Sequence, residues 1–555
     1  MHVRRTRALP VLLTVVLLPV VAAAPAAAAG PCAGVPGVDD RCESWTAVYD
    51  NPAKAPGSYQ LEPRVAASAD GSRVFMSVID EHHNTDDPYN SPASWGVLGY
   101  DGATGEQRWH EDYSGPGGYD RPNAIVASPD GSFVVATGGS YSKPVLMSGA
   151  ERDLMTIAYD GASGHQLWRT RSTGDVHDVG VQVVLSRDAR QVYVVVNTAN
   201  DGGDIDWAVV AYDARDGHQL WRTPYAGLGI SKSDVPKSAA LSPDGSRLYV
   251  TGESGAASDY DADYATVAYA VAGIDAGRQL WEQRFDGVGA HLSDRAADVA
   301  VDPDGRVIVT GDSLRSNEVS NVAMDYATVA YDGLTGQQLW ASRYSGTQGS
   351  GLHFGTTVAT SSSKPVAVVS GQSDGGGRDY DWATLAYDTA TGRQLWVQRL
   401  STPQIKLEFA TDSAIDAASE TAVLTGISGG NNPTGYRDFN RSPGITVGYR
   451  LSDGALQWIG RDYGNDETDS FSPRQLALAD DGSVFTAGQL TNNLQTDASD
   501  NVYDAMLTAY RIDPAPPAEV PEGEPWVLAV AGLALLGAAV RFRTALSGDA
   551  GNSRQ

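Results

Sequence analysis

The 555-residue chain has only two cysteines, Cys32 and Cys42. That scarcity excludes a disulfide-dense scaffold held by several bridges. Basic residues are few as well: 40 Lys and Arg stand against 68 Asp and Glu, a formal net charge of −28. So acidic a surface argues against nucleic acid and anionic lipid head groups as partners, and leaves cations, basic partners or plain solubility. No helix-period segment occurs before residue 526. There is no Gly-x-Ser-x-Gly elbow, no His-Glu-x-x-His and no glycine loop leading into a helix that would cradle phosphate. The signatures of the common hydrolase and nucleotide sites are therefore missing.

What is present is a repeat. Ala330-Tyr331-Asp332-Gly333-Leu334-Thr335-Gly336-Gln337-Gln338-Leu339-Trp340 has six relatives, ending at Trp109, Trp168, Trp221, Trp281, Trp396 and Trp458. The tryptophans are 59, 53, 60, 59, 56 and 62 residues apart, and each has a glycine four residues before it. A period of this size marks a repeat architecture. The residues of one copy predict a strand, a tight turn opened by aspartate and closed by glycine, and a second strand carrying the tryptophan. A large aromatic once per repeat predicts packing between neighbouring repeats, with burial contributing roughly 1.5–3 kcal/mol each.

The motif resembles the tryptophan-docking motif of the pyrroloquinoline-quinone (PQQ) quinoprotein propellers, Ala-x-Asp-x-x-Thr-Gly-x-x-x-Trp. Ala330, Asp332, Thr335, Gly336 and Trp340 match it in full, as do Ala386, Asp388, Thr391, Gly392 and Trp396. The fourth copy carries three extra residues between Tyr269 and Gly277, and the seventh has Arg450 in place of the aspartate. The resemblance spans about residues 44 to 512 and implies a fold rather than a chemistry.

Each repeat reads as four strands, with a Pro-Asp-Gly type turn after the first, as in Ser242-Pro243-Asp244-Gly245-Ser246. Such turns occur eight times, and the eighth unit stops at Tyr510 without a tryptophan strand. Trp45-Thr46-Ala47-Val48-Tyr49, before the first unit, resembles the missing strand. The expectation is an all-β, eight-bladed propeller of four-stranded antiparallel blades over residues 30–512, closed by this N-terminal strand. Trp45, Trp109, Trp168, Trp221, Trp281, Trp340, Trp396 and Trp458 are its docking residues. Both tight turns fall on one face, and the long variable loops, such as Asp80 to Ser94 and Gly429 to Gly444, fall on the other, where binding is expected.

The ends predict an exported, anchored protein. Arg4, Arg5 and Arg7, the apolar run Leu9 to Val21 and the Ala-rich stretch to Ala29 read as a signal peptide over residues 1–29. In an exported chain Cys32 and Cys42 are expected to pair. Residues 513–525 form a Pro-rich linker, 526–543 an apolar segment ending at Arg541 and Arg543 that reads as transmembrane, and 544–555 a short tail. The order of Pro-Glu pairs, apolar run and arginines also resembles bacterial sorting tails that are cleaved after export.

Two carboxylate series repeat. Asp120, Asp178, Asp234 and Asp294, with His353 and Glu408 at equivalent places, open the innermost strands. Asp153, Asp206, Asp263, Asp325, Asp381 and Asp504 open the third strands. Each series is either framework, accepting loop amides, or a ring of oxygen ligands for Ca²⁺. On the second reading Asp120, Asp178, Asp234, Asp294 and Glu408 hold the metal. Three further clusters break the repeat: Glu81-His82-His83-Asn84-Thr85-Asp86-Asp87, suited to Zn²⁺ or Cu²⁺; Asp259-Tyr260-Asp261-Ala262-Asp263, an incomplete calcium loop; and Arg437, Asp438, Asn440 and Arg441, suited to an anion.

The quinoprotein resemblance implies a PQQ- and Ca²⁺-dependent dehydrogenase as one function. Many such enzymes carry adjacent cysteines over the quinone, and this chain has no Cys-Cys pair, so PQQ is not expected. The reading preferred here is a non-catalytic, monomeric propeller that binds a protein or glycan on its long-loop face at the cell surface. A propeller hydrolase or lyase acting on polysaccharide is the third reading, and it lacks an identifiable acid–base pair.

Overall fold

Short runs such as Arg247–Gly255 and Ala262–Ala270 alternate β-branched, aromatic and small residues between Gly- and Asp-bearing turns. Such runs pair antiparallel with their nearest neighbour in sequence, as these two do. The computed structural model describes residues 39–40 and 44–512. Within that span it leaves aside 50–59, 82–91, 144–151, 173–176, 200–204, 226, 228–232, 256–261, 288–291, 319–320, 347–350, 377–378, 402–404, 432–436, 439–442, 463–469 and 493–501. The leader, Cys32, Cys42, the histidine cluster at 82–83, Asn440, Arg441 and everything after Ile512 lie outside the described residues, as do the side chains of Arg437 and Asp438. Among the described residues no helix is long and apolar enough to cross a membrane.

Eight four-stranded antiparallel units follow one another. Blade one runs from Gln60 to Tyr113, blade two from Asp120 to Arg171, blade three from His177 to Tyr225 and blade four from Asp234 to Phe285. Blades five, six and seven span Asp294 to Tyr344, His353 to Leu400 and Ile405 to Asp462. Blade eight takes its three inner strands from Ser470–Leu478, Ser483–Asn492 and Val502–Arg511, and its outer strand from Trp45–Tyr49. Trp45 pairs with Ala509 and Tyr49 with Ala505, so the ring is closed by the chain's own beginning. First strands contact first strands all the way round, including blade eight against blade one. One element was not foreseen: Asp39–Asp40 adds a short parallel strand outside Trp458 and Ile459 of blade seven.

The tryptophans dock as expected, and the contact explains the conserved spacing inside each motif. Seven indoles, from Trp45 to Trp396, lie on the glycine of the next blade's turn, whereas Trp458, which faces the blade that lacks such a turn, packs on Gly448 of its own blade and on Tyr510. A Cβ at Gly336 would collide with the Trp281 ring, and one at Gly392 with Trp340. Gly336 also holds φ at +76°, the left-handed region that a side chain disfavours. The indole Nε1 then donates to a carbonyl of that same turn: Trp281 to Gly333 at 3.0 Å, Trp340 to Thr389 at 2.8 Å and Trp396 to Leu451 at 2.9 Å. Trp45 does the same to Gly102 at 2.9 Å, which docks the closing strand onto blade one. Trp221 is the exception. Its target turn is the one with three extra residues, and its buried Nε1 finds no partner.

The aspartate of the motif builds the turn. Asp332 Oδ1 accepts from the amides of Leu334 and Thr335 and from the Thr335 hydroxyl, at 3.1, 2.8 and 2.8 Å. Blade seven keeps the turn without it: Gly454 still donates to the Arg450 carbonyl at 2.8 Å, while the Arg450 side chain pairs with Asp453. The two kinds of tight turn touch, as Gly333 N donates to Gly305 O at 3.1 Å. They therefore share one face, and the long loops share the other.

Candidate functional site

The first carboxylate series sits where each innermost strand begins, and strand pairing sets what it meets. Asp120, Asp234 and Asp294 stand opposite Ser140, Ser254 and Ser313 of the second strand. His353 and Glu408 stand opposite Ser373 and Ser428. The next residue across the sheet is the second series: Asp153, Asp263, Asp325 and Asp381. A rung of acid, hydroxyl and acid thus crosses blades two to five at the long-loop end, and blade six has it with His353 as the first member.

Two groups absent from the sequence reading complete the rung. The first is a glycine in the loop between blades. Gly115, Gly227 and Gly287 donate their amides to Asp120, Asp234 and Asp294 at 2.5, 2.8 and 2.7 Å. At Gly287 only hydrogen fits, because a Cβ would strike Ser313 Oγ, Arg343 Nη1 and Asp294 Oδ1. The second is an arginine three residues after the tryptophan. Arg171 pairs with Asp153 at 2.6 Å, Arg284 with Asp263 at 3.7 Å, Arg343 with Asp325 at 3.2 Å and Arg399 with Asp381 at 2.7 Å. Arg399 also donates to the carbonyls of Ser373 and Asp374. Both recur in the sequence, as Tyr/Phe-x-Gly and Trp-x-x-Arg.

The five residues expected to ring a metal are buried, and their neighbours differ. Asp178 receives both Nη groups of Arg222, at 3.0 and 3.2 Å, and the Ser172 hydroxyl at 3.2 Å. Asp234 accepts the Ser254 hydroxyl in addition to Gly227 N. Glu408 faces Ser428 at 3.5 Å. Of the five, only Asp294 belongs to a carboxylate group among the described residues, with Asp263 and Asp286. Burial raises the pKa of Asp120 and Asp294 above the carboxylate norm, against the lowering by their hydrogen bonds. His353 Nδ1 lies 2.9 Å from Ser373 Oγ.

Deeper along the first strands a second arrangement appears that no motif announced. A bulge near the middle of each first strand precedes a residue that differs from blade to blade: Arg64, Ala124, Gln182, Ser238, Asp298, Thr357, Asp412 and Gln475. These side chains tie neighbouring blades. Asp298 accepts from Ser238 of blade four at 2.7 Å and from Val358 N of blade six at 2.8 Å. Asp412 accepts from Leu476 N of blade eight at 2.9 Å, and Gln475 Oε1 from Val65 N of blade one at 3.1 Å. Burial pushes Asp412 up to about 7, with the charge of Asp298 adding to it. Burial also raises Asp298.

The PQQ_2 family profile, described as outer membrane protein assembly factor BamB, matches residues 95–263 and 207–509. The chain belongs to this family. No curated protein matches it significantly. Solved structures similar to this PQQ_2 propeller include a quinohemoprotein alcohol dehydrogenase from Pseudomonas putida HK5, at 12% identity over 86% of this chain and 78% of that one, with a TM-score of 0.43. Another is the quinohemoprotein alcohol dehydrogenase of Comamonas testosteroni, at 11% identity over 83% and 77%, TM-score 0.43. A europium-containing methanol dehydrogenase matches at 10% identity over 82% and 92%, TM-score 0.40.

Both cysteines precede blade one, so no blade offers adjacent thiols over a quinone. The inner carboxylates of blades two to five receive protein donors: glycine amides at Asp120, Asp234 and Asp294, and Arg222 at Asp178. Asp294, with Asp263 and Asp286, could still hold a cation, but the described residues show no feature specific to the quinone.

Proposed function

We propose that this PQQ_2 propeller is a non-catalytic, exported binding or scaffolding module that presents its long-loop face to a macromolecular partner. The supporting observation is the rung itself. At the long-loop end, glycine amides and arginines engage the acids that catalysis or a central metal would otherwise use, which leaves them as framework. The family's description as an assembly factor agrees with a role in holding other proteins rather than converting a substrate. In this reading residues 1–29 direct export, residues 526–543 hold the propeller at the membrane until or unless the tail is processed, and the partner is a protein or glycan.

The test places a photo-crosslinking residue at Arg152, at the long-loop end of a third strand, and separately at Leu334, on the tight-turn face. In native cells the Arg152 position is expected to give a discrete high-mass adduct and the Leu334 position none. Equal labelling from both faces would overturn the choice of face. Stoichiometric binding of PQQ and Ca²⁺ with dye-linked oxidation of an alcohol or sugar would overturn the non-catalytic reading.

A further inference from the structure

Blade one breaks the rung at every position. Gln60 stands where other blades have the first acid, and Asp80 stands in the place of Ser140, Ser254 and Ser313. Ser94 replaces the third-strand acid. Asp112, opposite Gly96, replaces the arginine that pairs across from Ala265, Ala327 and Ala383 in blades four to six. The substitution keeps two carboxylates, at new places, and removes the cation, while His110 comes from the same fourth strand as Asp112.

The four groups that meet there come from three strands of two blades. Tyr49 Oη, on the closing strand, lies 3.2 Å from Asp80 Oδ2 and 3.3 Å from His110 Nε2. His110 Nε2 lies 3.0 Å from Asp112 Oδ1 and 4.0 Å from Asp80 Oδ2. Three of these separations lie within hydrogen-bonding distance, and the tyrosine hydroxyl and the imidazole Nε2 supply at most one proton each. With the tyrosine donating to Asp80 and the imidazole to Asp112, the approach of Tyr49 Oη to His110 Nε2 has no proton of its own. A cation among the four groups satisfies it together with both carboxylates. A tetrahedral Zn²⁺ with ligands at about 2.0–2.1 Å has ligand–ligand edges of about 3.3 Å, near the three shorter separations, and the 4.0 Å between His110 Nε2 and Asp80 Oδ2 would close on binding.

The surroundings are shaped for it. Gly96 takes the place of the alanine in blades four to six, and a Cβ there would stand 2.8 Å from Val78 Cγ2, 3.1 Å from Asp80 Oδ2 and 3.3 Å from His110 Nε2. The Tyr100 hydroxyl is buried, lies in the field of Asp80 and has no hydrogen-bond partner among the described residues. Access exists, since the Asp112 side chain is 54% exposed and that of His110 23%, while that of Asp80 is 3%. Burial pulls the His110 pKa down, but the hydrogen bond and charge of Asp112 and the charge of Asp80 outweigh it and raise it.

We propose that Asp80, His110, Asp112 and the Tyr49 hydroxyl form a binding site for a first-row divalent metal, Zn²⁺ as probe, at the seam between blades eight and one. The ion balances two carboxylates and joins the closing strand to the second and fourth strands of blade one. It acts as a clasp on the ring and takes no part in partner binding.

The test uses the purified full-length protein after chelation and dialysis. Calorimetric titration is expected to give one equivalent of Zn²⁺, and Co²⁺ is expected to give visible bands of tetrahedral intensity. Asp112→Asn and His110→Gln are each expected to weaken Zn²⁺ binding by about a hundredfold or more. Asp263→Asn, in the other carboxylate group, is expected to leave it unchanged. Asp112 is exposed, so its variant keeps the apo melting temperature and reads binding separately from folding. Absence of Zn²⁺ binding at equimolar concentration overturns the proposal, as does binding that survives both seam variants.

Discussion

The outer and inner girdles of the ring solve the same problem by opposite means. Outside, one device is copied blade after blade: an indole on the next blade's glycine, with its N–H on that blade's carbonyl. Inside, only some junctions carry a shared bond: Asp298, Asp412 and Gln475 each accept a backbone amide of the next blade, and Asp298 alone adds a serine of the blade before. The outer girdle depends on apolar area, which tolerates repetition. The inner one depends on polar groups with little access to water, where each donor needs its own acceptor. Repetition marks what holds every blade, and irregularity marks what holds one particular junction.

The largest test of this contrast is on the outside. Trp396→Ala is expected to cost roughly 3–5 kcal/mol by large-to-small truncation, measured by chemical denaturation. Trp221→Ala, which has no Nε1 hydrogen bond to lose, is expected to cost less by about 1 kcal/mol. Equal losses would mean that the indole N–H contributes nothing to docking. A middle-sized effect is expected within. Asp298→Ala strands the amide of Val358 and the hydroxyl of Ser238, at a cost of roughly 1–3 kcal/mol. A loss under a few tenths would show that water replaces the carboxylate.

The smallest effect is a slope. Asp412 has a folded pKa raised from 3.8 to about 7. Its contribution to stability is therefore fully present below about pH 4 and is lost as pH rises through about 7, with a slope of at most about 1.4 kcal/mol per pH unit. Besides burial, the charge of Asp298 raises it, and the amides of Leu476 and Ser413 and the charge of Arg64 lower it. The turn aspartates Asp70, Asp130, Asp213 and Asp244 are held at about 2 by side-chain hydrogen bonds first of all, so they lose their contribution only below about pH 4. Urea denaturation at pH 5 and pH 8 is expected to show a smaller difference in Asp412→Asn than in the parent. An unchanged difference would place the titration elsewhere.

The same contrast explains what could be read from residues alone. Trp340 and its copies disclosed the blades because a repeated residue is its own signal, and Trp45 disclosed the closure by resembling them. The second reason for Gly336 was hidden: the tryptophan that lies on it belongs to the preceding blade, 55 residues earlier. The first-strand acids were legible as a series, but their glycine and arginine partners come from other strands and loops. Asp298, Asp412 and Gln475 gave no signal, because the bulge before each breaks strand alternation and neighbouring blades carry different residues there. His110 and Asp112 carried no meaning until Tyr49, from the far end of the ring, was placed beside them.

The closing strand also sets a clock. Trp45 pairs with Ala509, 464 residues later, so the first strand of the ring waits for nearly the whole chain. At ribosomal rates of about 5–20 residues per second that is roughly 25–90 s during which blade eight has no outer edge and Trp45 no seat. Blades one to seven can form in order from local hairpins meanwhile, since each draws its four main strands from one continuous stretch. The circle becomes a circle only in the last step, and a chain released before Ala509 leaves its first tryptophan strand unpaired.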